Sequence, residues 1–117
     1  MQNIKRTLRV NFFKTDAGNE PVRVWLESLS SEEKKIIGED IKTVQFGWPI
    51  GMPLVRPLGG NLYETQSDLK DKIARIFFTV ESDKMILLHG FMKKDQKIPQ
   101  KEINLARKRL ADSKGGD

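Results

Sequence analysis

The chain has no cysteine and a single histidine, His89, among its 117 residues. The first absence excludes disulfides, iron–sulfur clusters, thiolate zinc sites and cysteine nucleophiles together. The second leaves nothing from which to build a multi-histidine metal site, so neither a metal nor a cofactor is expected. No apolar run approaches the ~20 residues of a membrane span, and Met1–Val10 lacks a secretory h-region. The chain is therefore expected to sit in the cytoplasm without a membrane partner. P-loop, Rossmann and nucleophile-elbow motifs are also missing, as are internal repeats and low-complexity tracts.

What is present is positive charge. Lys and Arg number 21 against 16 Asp and Glu, for a net charge of +5. Between Lys93 and Lys114 stand eight bases and three acids, a surplus of +5, so the rest of the chain is neutral. A localised basic field attracts polyanions and speeds their association, although a lysine-rich surface also serves solubility alone. The length suits one compact domain, 1–117, with Ser113–Asp117 as a frayed tail.

Leu8–Phe13 reads as a first strand. Asn19 can cap a helix with Pro21 in its first turn, and Val22, Trp25, Leu26 and Leu29 give it one apolar stripe. Ser30 and Glu33 have capping-box spacing for a second helix, which buries Ile37, Ile41 and Val44 and ends at Gly47 before Pro49. The glycines and prolines of Gly51–Gly60 read as loop. Strands follow at Asn61–Gln66, Lys72–Glu81 and Lys84–Lys94. Pro99 opens a last helix to about Ala111, with Lys97, Lys101 and Lys108 turned away from its apolar side. The expected class is α+β: a twisted antiparallel sheet of about four strands, two N-terminal helices and one C-terminal helix.

A turn at Ser82 and Asp83 would set Val80 opposite Met85, Phe78 opposite Leu87, Ile76 opposite His89 and Ala74 opposite Phe91. Continued without interruption, this register puts His89 on an apolar core face as a structural residue. It puts Arg75 on the other face, opposite Gly90 and on the side of Lys94. A strand glycine marks close approach of a ligand or another backbone. Arg75 then has two compatible readings, a bidentate phosphate clamp or a structural partner of Glu64. Lys93, Lys94 and Lys97 read either as a site or as a solvated charge run. Tyr63, Trp25 and Trp48 read as packing residues.

"PLGGNLYET" (Pro57–Thr65), "KIARIFFTV" (Lys72–Val80) and "LLHGFMKKDQKIPQKEINLARKRL" (Leu88–Leu110) together resemble the RelE/HigB toxin superfamily, most of all its phage-derived, HigB-type killer proteins. The "PVRVWLESLS" helix joins the resemblance, which spans most of the chain. It implies a type II toxin–antitoxin endoribonuclease that cleaves messenger RNA on the ribosome and is neutralised by a helix-turn-helix antitoxin. The implied chemistry is metal-independent: the 2′-hydroxyl attacks the adjacent phosphate and the 5′-oxygen leaves. Carried onto matching positions, Arg75 would hold the scissile phosphate, and Lys93, Lys94 and Lys97 would share charge stabilisation and proton transfer. Arg56 would bind a flanking phosphate, with Lys72, Lys101 and Lys108 as further RNA contacts. Several relatives carry a catalytic tyrosine or histidine near the C-terminus; Ala111–Asp117 has neither. The alternative is a non-catalytic RNA- or protein-binding module on the same fold. A DNA-binding regulator is disfavoured, since no glycine-turned helix pair appears.

Overall fold

In the computed structural model, residues 7–94 and 97–115 are described. They form β1 (Arg9–Phe12), α1 (Pro21–Glu27), α2 (Ser31–Gly47), β2 (Val55–Gly59), β3 (Leu62–Asp68), β4 (Ile73–Glu81), β5 (Lys84–Lys93) and α3 (Gln100–Gly115). The five strands make one open sheet in the order β1-β5-β4-β3-β2. The α+β class is as expected, with two differences. β1 pairs parallel to β5, so the sheet is mixed. Val55–Gly59, expected as loop, is an edge strand antiparallel to β3. Pro57 is tolerated there because an edge strand has one unpaired side.

Local signals account for most boundaries. Ser30 Oγ accepts from the Glu33 backbone N–H at 3.2 Å, while Glu33 accepts from the Ser30 N–H at 3.1 Å, the full capping box of α2. Asn19 does not cap α1. Glu20 holds that position without a side-chain capping bond, and the Asn19 N–H instead donates to Thr15 Oγ1 in the preceding turn. α3 continues through Gly115, beyond Ala111, where the apolar spacing ends it.

The β4–β5 hairpin turns on two residues, with Glu81 opposite Lys84 and Ser82 at φ 57°. Phe78 lies opposite Leu87 as expected, but the register then shifts, so that Phe77 faces His89, Ile76 faces Gly90 and Arg75 faces Phe91. Leu88 is the extra residue of a β-bulge. Everything beyond it moves one place relative to the uninterrupted pairing. His89 therefore leaves the face of Ile76 for that of Phe77.

Each face of the sheet carries its own core. On one, α1 and α2 pack against Ala74, Ile76, Phe78, Met85 and Leu87. Trp48 sits edge-on to Tyr63 and Phe78, with ring centroids 5.0 and 5.8 Å apart, so Trp48 and Tyr63 are packing residues. Trp25 packs against Gly90, where an added Cβ would stand 2.5 Å from its ring. The glycine does mark a close approach, by an indole. On the other face, α3 lays Ala106 and Leu110 over Leu62, Phe77, Leu88 and Phe91. Arg107 donates to the Leu58 and Gly59 carbonyls at 2.9 and 3.1 Å, and Arg109 to the Leu88 carbonyl at 2.9 Å. These two arginines of the basic segment fasten the helix to β2 and β5. Burial lowers the pKa of Arg109, which also lies over the Phe13 ring.

Candidate active site

The α3 face of the sheet holds charge in its interior. Strand alternation and the register put Glu64 beside Phe77, and Gln66 beside Arg75, on this face. Glu64 and Arg75 are both fully buried, and Arg75 Nη1 donates to Glu64 Oε2 at 2.5 Å. From β2, Arg56 Nε approaches Glu64 Oε1 at 3.6 Å, its side chain 35% exposed. The Gln66 amide donates to the same oxygen at 3.4 Å. One carboxylate thus gathers two guanidinium groups, for a formal surplus of one positive charge. A buried carboxylate without such partners would cost several kcal/mol, so the three side chains hold one another in place.

The buried pair is the structural reading of Arg75, and it corrects the expectation of an open phosphate clamp. The guanidinium is enclosed, and Arg56 is the member of the cluster that faces solvent. Arg75 also lies opposite Phe91, and the strand residue that shares its face at the end of β5 is Lys93, whose Cα partner is Ile73, in place of Lys94. Lys93 is half-buried, while Lys94 and Lys97 are exposed. The expected cluster also includes Asp95 and Gln96, which lie outside the described residues.

The four outlying cations separate. Arg56 joins Glu64, as above. Lys72 is bonded to Glu33 of α2 at 3.0 Å, which draws it to the α2 side and away from Arg75. Lys101 is exposed on the first turn of α3. Lys108 pairs with Asp112 at 3.1 Å beside a cleft of about 640 Å³ that Phe13, Lys14 and Leu105 help to line. Of the four, only Arg56 contacts the Glu64 cluster.

The sequence reading discounted His89, and the bulge reinstates it. The imidazole stacks on Phe91, centroids 5.4 Å apart and 20° between planes, and its Nε2 meets Glu102 Oε1 at 2.5 Å. Its side chain is 14% exposed and that of Glu102 20%. The available signal was Gly90, since a glycine inside a strand accompanies bulges as well as close approaches. Among the described residues, no group of three or more His, Asp or Glu side chains could hold a metal ion. No helix among them is long and apolar enough to cross a membrane.

No curated protein matches the chain. Residues 24–111 match the model of the phage-derived Gp49-like protein family (DUF891), a span from within α1 to the last turns of α3 that includes Arg56, Glu64, Arg75, His89, Lys93 and Glu102. The chain belongs to this Gp49-like family, a toxin-like family of the RelE/HigB type.

Proposed function

We propose that this chain is the toxin of a type II toxin–antitoxin pair, of the HigB kind, and that it acts as a metal-independent endoribonuclease on ribosome-bound messenger RNA. The observation that carries this reading is one sheet face on which Arg56 and Arg75 gather around a single buried carboxylate and which Lys93 shares at the end of β5, in a chain of a RelE/HigB-type family. Phosphodiester cleavage by a neighbouring 2′-hydroxyl passes through a phosphorane with more negative charge than the substrate. Fixed cations therefore stabilise the transition state more than the ground state.

In this proposal Lys93, Lys94 and Lys97 meet the phosphate, and Arg56 takes a flanking one. Arg75 is a positioning residue: through Glu64 it fixes the fork of Arg56. Lys101 extends the basic surface along α3. A slow enzyme that depends on the ribosome to align its substrate suits a site with so few reactive groups. A helix-turn-helix antitoxin is the partner that this reading implies.

Expression of the chain alone is expected to arrest bacterial growth and deplete translated messages. Purified protein should cut ribosome-bound message with no metal ion added beyond the magnesium the ribosome itself requires, leaving a 2′,3′-cyclic phosphate, and should fail when the nucleotide 5′ to the cut is 2′-deoxy. Binding of RNA without cleavage, at confirmed soluble expression and normal growth, would favour the non-catalytic module.

A further inference from the structure

We infer that His89, held by Glu102, is the proton acceptor of the site. This deepens the ribonuclease reading and rests on it. Three observations carry the inference. The bulge at Leu88 turns His89 to the face that bears Arg75 and Lys93, two register places along from the Arg75–Phe91 pair. Its Nε2 is committed to the Glu102 carboxylate, and the ring packs beside both Phe77 and Phe91, with centroids 6.2 and 5.4 Å away. Part of the side chain remains open to solvent.

A carboxylate on one ring nitrogen fixes the tautomer and stabilises the imidazolium that forms when the other nitrogen takes a proton. With Nε2–H donated to Glu102, Nδ1 is the accepting atom. The step balances without a redox change. Nδ1 takes the proton of the 2′-hydroxyl, and the freed electron pair forms the O2′–P bond. The P–O5′ bond breaks, and O5′ receives a proton from an ammonium of the Lys93–Lys97 group. The products are a 2′,3′-cyclic phosphate and a 5′-hydroxyl. The charged groups on the face of the imidazole are Glu102 from α3, Arg75 from β4, Glu64 from β3 and, further along its own strand, Lys93. Glu102 and Glu64 are the acidic ones; Glu64 is bonded to Arg75, and Glu102 is the one in contact with the ring.

The test is single-turnover cleavage, across pH, of a short message in the A site of purified ribosomes. It compares the full chain with His89→Gln and Glu102→Gln, with denaturation midpoints measured alongside. The glutamine amide of His89→Gln can still donate to Glu102 but cannot exchange a proton. Its cleavage should fall by ~100-fold or more, the usual size of a general-base contribution, and the fall in rate toward acid pH should disappear. A folded His89→Gln that cleaves within about threefold of wild type, with the same profile, would overturn the inference while leaving the ribonuclease reading intact.

If His89→Gln does not fold, Glu102→Gln decides. Loss of the carboxylate should move the acid limb of the profile. An unchanged profile for its folded fraction would mean that the pair only docks α3. A wild-type chain that leaves the message uncut would bring down the ribonuclease reading itself, and this inference with it.

Discussion

The two faces of the sheet are built from the same strands, yet they differ in kind. Toward α1 and α2, β4 presents Ala74, Ile76, Phe78 and Val80 to an interior of aliphatic and aromatic side chains. Toward α3, the alternate residues are Arg75, Phe77 and Thr79, joined by Glu64 and His89. Among the described residues the first face buries no charged side chain, and hydrophobic packing is its main stabilisation. The second places ionised groups in its interior, where desolvation offsets much of their attraction and well-packed apolar residues would serve stability as well or better. Charge in such a position is what the proposed function draws on.

The largest effects should come from breaking each face at its centre. Arg75→Ala leaves the Glu64 carboxylate buried with Arg56 and Gln66 as its remaining named partners, and should cost ~3–5 kcal/mol in chemical denaturation. Phe78→Ala should cost a similar ~3–5 kcal/mol through a cavity beneath Trp48 and Tyr63. The two differ in their rescue. Replacing both ionised partners, as Arg75→Met with Glu64→Leu, should recover most of the stability but not cleavage. The folded fraction of Phe78→Ala should cleave normally. If the apolar pair cleaves as well as wild type, the buried charge has no functional role.

A smaller effect is expected at Gly90, where any side chain meets the Trp25 ring. Gly90→Ala should destabilise by ~1–3 kcal/mol, and combining it with Trp25→Leu should add less than the sum of the two single changes. Additive losses in denaturation would show that the indole is not the obstacle.

How much of this was legible depended on whether a signal was local. The α2 capping box, the Gly47–Pro49 stop and the Ser82–Asp83 turn each lie within a few residues, and each appears where the spacing puts it. Two failures were of another kind. Val55–Gly59 has the composition of a loop, and its strand character comes from pairing with β3 at an edge where Pro57 can be accommodated. The bulge at Leu88 was harder still. Leu87 and Leu88 are the same residue, so hydrophobic alternation does not say where the extra residue enters. A single-place shift then reversed the face of His89 and changed the residue opposite Arg75. The Arg75–Glu64 pair was readable as one of two options, but its enclosure was not, because burial is set by how β2 and α3 close over the sheet.

The smallest effects belong to the α2 terminus. Ser30→Ala should cost ~1 kcal/mol by removing the capping oxygen. The Ser30 backbone N–H, and then Lys72, hold the Glu33 carboxyl below its ordinary value of 4.5. A carboxyl whose pKa is lower folded than unfolded adds stability above the unfolded value, and loses it as the pH falls through the folded one. Glu33→Gln should therefore weaken the protein slightly at neutral pH and leave it unaffected once the solution is acid enough to protonate Glu33 in the folded chain. A destabilisation that does not change with pH would remove this assignment.

The claim at the centre of this account is that RNA meets the α3 face of the sheet. Amide chemical shifts of the full chain, recorded as a short RNA with 2′-O-methyl groups is added, test it most directly, since binding can be followed without cleavage. The shifts that move should cluster at Arg56, His89, Lys93, Lys94, Lys97 and Lys101, with Val22, Ile37, Val44 and the rest of the α1–α2 face unmoved. Perturbations centred on α1 and α2, with β5 and the first turn of α3 silent, would contradict it.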